Sequence, residues 1–276
     1  VHFEGTALVL LNDGVIKFDG GAIFGQVPKT SWEQRAQPDR RNRVSLGLNC
    51  LLIQNGEHCI LVDTGVGSKE AENDKENLGL VPSRLLKGLK SYGLTPKDIH
   101  AVILTHLHFD HSGGCPRLDR AGNVMPTFPK ARYYVQRSCW DEACNPNERC
   151  HATHRSDNFK PIDDRGQLEI LDGDAEIFPG LNVIVTDGHA KGHQSVMFNH
   201  GGERVVFLGD IVPTPHHLNL TVISAFDSSP EDTLTQKRDL LNQAEREGWL
   251  LVFSHGHDTR AGYLERRGEM GYLKPV

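Results

Sequence analysis

The segment Thr105-His106-Leu107-His108-Phe109-Asp110-His111 sets four side chains of metal-ligating type within six consecutive positions, directly after the apolar run Ala101-Val102-Ile103-Leu104. Imidazole nitrogens and a carboxylate oxygen together suit Zn2+ or a similar divalent ion. Helical spacing would align His106 with Asp110 but turn His108 to the opposite face. The spacing therefore predicts a strand end followed by a tight loop, with Ser112-Gly113-Gly114 as the small, flexible residues of the turn. Four such groups this close, with more His and Asp downstream, point to two adjacent ions rather than one.

Three further loops repeat the arrangement, each directly after an apolar run. Thr186-Asp187-Gly188-His189-Ala190-Lys191-Gly192-His193 follows Val183-Ile184-Val185, Gly209-Asp210 follows Val205-Val206-Phe207-Leu208, and Ser254-His255-Gly256-His257-Asp258 follows the strand at Leu250–Phe253. Loops at the ends of rigid strands are how a scaffold assembles a site from distant sequence.

The elements that must carry these loops alternate along the chain. Thr6–Leu11 and Val15–Phe18 read as a hairpin around Asn12-Asp13-Gly14, and Leu46–Ile53 with Cys59–Val62 as a second one, closed by Gln54-Asn55-Gly56-Glu57. The Gly-rich stretch from Asp19 to Trp32 reads as irregular. Pro82–Tyr92 reads as a helix stopped by Gly93, and Ala101–Thr105 as a buried strand. In the second half, Arg132–Gln136, Leu168–Leu171, Leu181–Thr186, Ser195–Asn199 and Arg204–Leu208 read as strands. Ser229-Pro230-Glu231-Asp232 opens a helix running to about Glu247, and a short helix is expected over Thr259–Arg267. This order predicts an α/β protein, two packed mixed sheets with helices outside, as one domain over residues 1–276.

Composition narrows the function class. Fifteen histidines fit ligand duty, and the formal charge of −6 with no Lys/Arg run argues against a nucleic-acid partner. No run approaches the ~18 apolar residues of a membrane span, and Val1–Gly5 carries no export signature, so a cytoplasmic protein is expected. Cys139, Cys144, Cys150, His151 and His154 crowd one region but lack a CxxC knuckle, and are read as ordinary thiols beside exposed histidines.

The ordered set His106-x-His108-x-Asp110-His111, His189, Asp210 and a C-terminal His resembles the metallo-β-lactamase superfamily of αββα hydrolases, over about Leu46 to Gly268. The resemblance implies His106, His108 and His189 on one ion, and Asp110, His111 and the last His on the other. It implies Asp210 bridging both, with a hydroxide between the ions. Asp63 in Leu61-Val62-Asp63-Thr64-Gly65 matches a position that orients the metal loop without binding metal, and His193 is expected to support its loop in the same way. The last ligand is expected to be His257, from its pairing with Asp258, with His255 as the alternative. The ions are expected to be zinc, with manganese, iron or cobalt as alternatives.

Within that family, Thr-His-Leu-His-Phe-Asp-His and Gly188-His189 through Ser195 are similar to N-acyl-homoserine lactonases and the related methyl parathion hydrolases. Asp19–Trp32 resembles the entry loop of a quorum-quenching lactonase group. This implies opening of a lactone ring, with Asp110 carrying the proton to the leaving oxygen, and with Phe24, Trp32, Phe109 and His216 at the substrate. Lactonases of this branch carry a Tyr where this chain has Pro213, so His216 or His217 is expected to supply the missing hydrogen bond. The alternatives are a phosphotriesterase or arylesterase on the same site and, from a different class, a non-catalytic metal-binding protein. A small-molecule substrate is the expected partner, and a homodimer is compatible with this reading.

Overall fold

The structure is a computed structural model that describes residues 2–3, 5–56, 58–70, 72–267 and 270–276. In chain order the strands are β1 (His2–Phe3), β2 (Thr6–Asp19), β3 (Arg43–Asn55), β4 (His58–Val62), β5 (Ala101–Ile103), β6 (Pro116–Leu118), β7 (Val124–Pro126), β8 (Arg132–Gln136), β9 (Leu168–Leu171), β10 (Ala175–Phe178), β11 (Leu181–Val185), β12 (Gln194–His200), β13 (Glu203–Phe207), β14 (Leu250–Val252), β15 (Ala261–Arg267) and β16 (Met270–Pro275). The helices are α1 (Gly20–Phe24), α2 (Lys29–Trp32), α3 (Glu72–Asn77), α4 (Leu85–Ser91), α5 (Phe109–Ser112), α6 (Arg137–Cys144), α7 (Ser156–Asp163) and α8 (Pro230–Glu247). Among the described residues no helix is long and apolar enough to cross a membrane.

The chain falls into two compact units, one of Val1–Gly14 with Leu48–Gly173 and one of Val15–Gly47 with Asp174–Val276. The first unit carries most of a seven-stranded mixed sheet, order β1-β2-β3-β4-β5-β8-β9, with β2 belonging to it as far as Gly14 and β3 from Leu48. Its short central strand β5 is buried at every position and runs parallel to both neighbours, β4 and β8, which explains an apolar run with no alternation. Leu85 and Leu89 of α4, Cys139 and Ala143 of α6, and Phe159 and Ile162 of α7 pack with Leu52, Val102, Tyr133 and Val135 into one core. The second unit carries the sheet β10-β11-β12-β13-β14-β15-β16. Leu240, Leu241 and Ala244 of α8 close its core against Val206, Leu208, Leu251 and Phe253.

Strand direction decides where the loops emerge. In the first sheet β4 and β5 are parallel, so Asp63 and Thr105 leave the same edge. In the second, β11 and β13 are both antiparallel to β12, and β13 is parallel to β14. The loops bearing His189, Asp210 and His255 therefore leave that sheet at one edge too.

Three expectations are corrected. The opening hairpin is a single 14-residue strand, β2. Asn12 and Asp13 make no turn, because their polar groups are satisfied sideways: Asn12 donates to Asn49 Oδ1 at 2.9 Å, and Asp13, 1% exposed, acts as a remote cap for α4. Asp13 Oδ1 accepts from the Ser83 hydroxyl and from the Arg84 and Leu85 amides at 3.2 and 3.1 Å, and Oδ2 accepts from the Gly67 amide at 3.0 Å. This capping explains why α4 begins at Leu85 rather than Pro82. The helix expected over Thr259–Arg267 is strand β15, paired with β14 (Leu250↔Tyr263) and β16 (Leu264↔Leu273). Leu-Glu-Arg-Arg favours a helix locally, and strand partners on both sides override that preference. The Asp19–Trp32 stretch contains two short helices, α1 and α2. The second hairpin is present as β3 and β4, with Glu57 of its closing turn outside the described residues.

Asp13→Ala should destabilise the protein by ~2–4 kcal/mol in denaturant unfolding, since each buried donor left unpaired costs about 1–3 kcal/mol. Asp13→Asn, which keeps one acceptor oxygen, should lose less. Hydrogen exchange should show the Leu85 amide unprotected in the Ala variant, and full protection there would mean that Asp13 does not cap α4.

Candidate metal centre

In the first unit the chain leaves β5 through Leu104 and Thr105, then folds His106, His108, Asp110 and His111 into a buried cluster. The ring centroids of His106 and His108 are 4.4 Å apart, and those of His106 and His111 4.1 Å. Asp110 and His111 sit on α5, a single helical turn where a tight loop was expected. Gly113 and Gly114 serve close approach there: a Cβ on Gly113 would lie 2.3 Å from Val66 O, and one on Gly114 2.3 Å from Thr64 O. Asp63 organises the cluster. Its Oδ2 lies 2.7 Å from His111 Nδ1, and its Oδ1 accepts from the Thr105 amide at 2.8 Å. The Thr105 hydroxyl, bonded to Asp63, also meets His106 Nδ1 at 3.0 Å. Asp63 holds a left-handed backbone, φ 57°, a conformation a non-glycine residue keeps only when its surroundings enforce it.

In the second unit His189, Asp210 and His255 converge. His189 Nε2 and His255 Nε2 lie 3.5 and 3.3 Å from Asp210 Oδ2. Asp227 Oδ1 engages His189 Nδ1 at 2.7 Å, and the Gly47 carbonyl engages His255 Nδ1 at 2.8 Å. Asp210 Oδ1 accepts from the Ser254 hydroxyl at 2.8 Å. His193 links two loops: the Asp210 amide donates to its Nε2 at 2.9 Å, and its Nδ1 meets the Thr186 hydroxyl at 2.8 Å.

The C-terminal expectation is corrected at this point, because His255, not His257, joins Asp210. The His255 backbone is clamped on both sides, its amide donating to Pro213 O at 2.9 Å and its carbonyl accepting from Gly47 at 3.1 Å. The chain then turns at Gly256, where a Cβ would meet Thr259 O at 2.3 Å. The turn sends His257 outward, its side chain 44% exposed beside an exposed Asp258.

Both clusters fit a metal by the chemistry of their donors. His111, His189 and His255 each have Nδ1 engaged by a carboxylate or carbonyl oxygen, which fixes a tautomer with the Nε2 lone pair presented to the cluster. These buried imidazoles share their space with Asp110 or Asp210. A set of converging acceptors is complementary to a cation.

The residues expected at the substrate divide. Phe24 and His216 line a cavity of about 450 Å3 in the second unit, together with Leu46, Arg35, His255 and His257. Trp32, 3% exposed, stacks behind Phe24 with ring centroids 5.0 Å apart. Burial, and then the Arg35 charge, hold the His216 imidazole below its usual pKa. His217 is fully buried, its Nδ1 bonded to Thr214 Oγ1 and its Nε2 to Ile23 O, and burial brings its pKa down to about 3. Both of its ring nitrogens are thus engaged inside the protein, and of the two histidines only His216 lines the cavity. Phe109 is buried beneath the Arg155 guanidinium, 4.4 Å from its ring, and packs rather than opens to solvent. The sequence reading missed Asp227, Ser254 and Thr105. Asp227 lies 38 positions from His189, and its place before Ser228-Ser229-Pro230 reads as an ordinary helix entry. Only the Ser and Thr beside ligand-type residues carried a local signal.

Residues 46–255 match the family model described as the metallo-beta-lactamase superfamily. An N-acyl homoserine lactonase of Bacillus thuringiensis is 28% identical over 228 residues, 77% of this chain and 82% of that protein. A solved structure of a probable metal-dependent hydrolase from Staphylococcus aureus superposes with a TM-score of 0.89 at 30% identity, covering 99% of this chain and 98% of the other. An N-acyl homoserine lactone hydrolase, solved with the product N-hexanoyl-L-homoserine at its catalytic metal centre, aligns with a TM-score of 0.69 at 25% identity, covering 90% and 92%. With its seven ligand-type residues in family order and its two mixed sheets, the chain belongs to the metallo-β-lactamase superfamily and is a metal-dependent hydrolase of that fold.

Proposed function

We propose that this protein opens lactone rings, with N-acyl-homoserine lactones as its substrate class, and that its two units act as one catalytic domain in the cytoplasm. In this reading His106, His108 and His189 would hold one divalent ion, Asp110, His111 and His255 would hold a second, and Asp210 would serve both. Zinc comes first, with manganese, iron and cobalt as ions the same donors accept. The observation that carries the reading is the orientation of the imidazoles, with Nδ1 of His111, His189 and His255 each committed to an oxygen. The lactonase relatives supply the substrate class.

When bound, the ions supply Lewis acidity toward the ring carbonyl and lower the pKa of water toward neutrality. The chain's own groups do the rest. Asp110 receives the proton of the attacking water at a carboxylate oxygen and returns it to the ring oxygen as that leaves. Addition of one water thus yields a hydroxyl and a carboxylic acid, which ionises to a carboxylate by releasing its proton to solvent. His216, kept neutral, offers an N–H to a substrate carbonyl. The cavity bounded by Phe24, Leu46 and His255 receives the acyl tail.

A second reading, hydrolysis of phosphotriesters or aryl esters, is favoured by one feature: Pro213 offers no side-chain donor, only a carbonyl already bonded to His255. A common panel separates the two. Zinc-loaded protein should release acid from acyl-homoserine lactones, and inert lactones beside rapid turnover of an aryl phosphotriester would select the second reading.

Two further outcomes are expected. His255→Ala should lose zinc and activity together, while His257→Ala keeps both ions in elemental analysis; the reverse pattern would restore His257 as the ligand. Phe24→Ala should flatten the dependence of kcat/KM on acyl length. Each enclosed methylene contributes ~0.8 kcal/mol, so four should shift wild-type kcat/KM by well over tenfold. A slope equal in wild type and variant would place the tail elsewhere.

A further inference from the structure

Lys237 lies at the middle of α8, on the stripe of Thr233, Lys237, Leu240, Leu241 and Ala244 that the helix buries. It is fully buried, and among the described residues no carboxylate is its hydrogen-bond partner. Its Nζ donates to the carbonyl oxygens of Asn219 at 2.8 Å and Val222 at 2.7 Å. Burial lowers its pKa to about 7, against the opposing pull of Asp227. A lysine at a core-facing position is costly unless it supplies hydrogen bonds an apolar residue could not.

Both carbonyls belong to one strap, residues 219–229, which reaches two functional features. On one side Ser224 Oγ and the Ala225 amide both donate to Ala22 O of α1, at 3.1 and 2.8 Å. A Cβ on Gly25 would lie 1.9 Å from Ile223 O, so strap and α1 touch through backbone. Phe24 of the cavity wall lies between those contacts. On the other side Asp227 holds His189 Nδ1 at 2.7 Å, and the Ser228 amide donates to His189 O at 2.9 Å.

We propose that Lys237 is a positioning residue that anchors the 219–229 strap and thereby sets both the His189 ring and the α1 wall of the cavity. The proposal rests on the reading of His189 as a zinc ligand. Lys237 touches neither zinc nor substrate; it acts by denying the strap the freedom to carry Asp227 away from His189.

The test compares Lys237→Met with Leu241→Ala, a core truncation on the same helix, using zinc affinity from competition with a chromophoric chelator and KM for a long-tailed lactone. Lys237→Met should weaken zinc by about tenfold or more, the range typical of groups that orient ligands, and should raise KM. Leu241→Ala, matched in Tm loss, should keep wild-type zinc affinity. Lys237→Arg, which retains donors for both carbonyls, should recover most of the loss. In Asp227→Ala, adding Lys237→Met should weaken zinc little further, because both changes act through one contact. Equal zinc affinity in Lys237→Met and Leu241→Ala, or additive losses in the double variant, would overturn the assignment. If Lys237→Met does not fold, Ser224→Ala decides: it removes one of the two hydrogen bonds that tie the strap to Ala22 O without opening the core, and unchanged zinc affinity and KM overturn the proposal. Wild-type protein that binds no zinc would refute the metal reading itself, a distinct result.

Discussion

The chemistry of this chain depends on which nitrogen of each imidazole is occupied. A neutral histidine offers one lone pair, and that pair is useful to a cation only when the other nitrogen is held as a donor. Asp63, Asp227 and the Gly47 carbonyl do this for His111, His189 and His255. Each of these three acceptors lies far from its histidine in sequence. The ligand-type residues are therefore displayed by local loops, while their chemical state is imposed by contacts that only the folded chain provides.

The strands turn that requirement into geometry. Asp63 follows β4 and Thr105 follows β5, and parallel pairing sets one beside the other, with the Asp63 amide on Ile103 O at 3.0 Å. In an antiparallel pair the two chain ends would lie at opposite edges. The same logic places Ser254 next to the Asp210 loop, since β13 and β14 are parallel; the Ser254 hydroxyl reaches both Gly209 O and Asp210 Oδ1. Two of the polar links thus follow from strand direction.

Most of the fold and the identity of the clusters were legible because they rest on local signals. Apolar runs ending in His or Asp marked β5, β11, β13 and β14, and Ser229-Pro230 with Gly248 bounded α8 at the positions observed. The failures share a cause. Asn12-Asp13-Gly14 looks like a turn, but the Asp13 carboxylate is used by α4, some seventy residues away. Thr259–Arg267 has helical propensity, but its backbone is claimed by β14 and β16. His257 has the more informative neighbour in Asp258, yet the backbone clamp on His255 decides which side chain points inward. In each case a long-range partner settles what short-range chemistry leaves open.

The cost of burying so much polar chemistry explains the company it keeps. Three imidazoles and two carboxylates in the first cluster, and two of each in the second, are removed from water, which is unfavourable unless every group is engaged. Each unit offsets that cost with an apolar core of its own, continuous from sheet to helix directly behind the loops. Rigidity at the loops then comes from backbone packed too closely for side chains, as at Gly113 and Gly114, rather than from more polar contacts that would add to the burden. The left-handed Asp63 fits the same account. Its strain is tolerable because four independent attachments hold it: its amide on Ile103 O, and its carboxylate to the Thr105 amide, the Thr105 hydroxyl and His111. A residue so over-determined by its neighbours stays put when a ligand arrives, and a cluster of lone pairs gains selectivity for a cation only when its donors cannot relax away from one another.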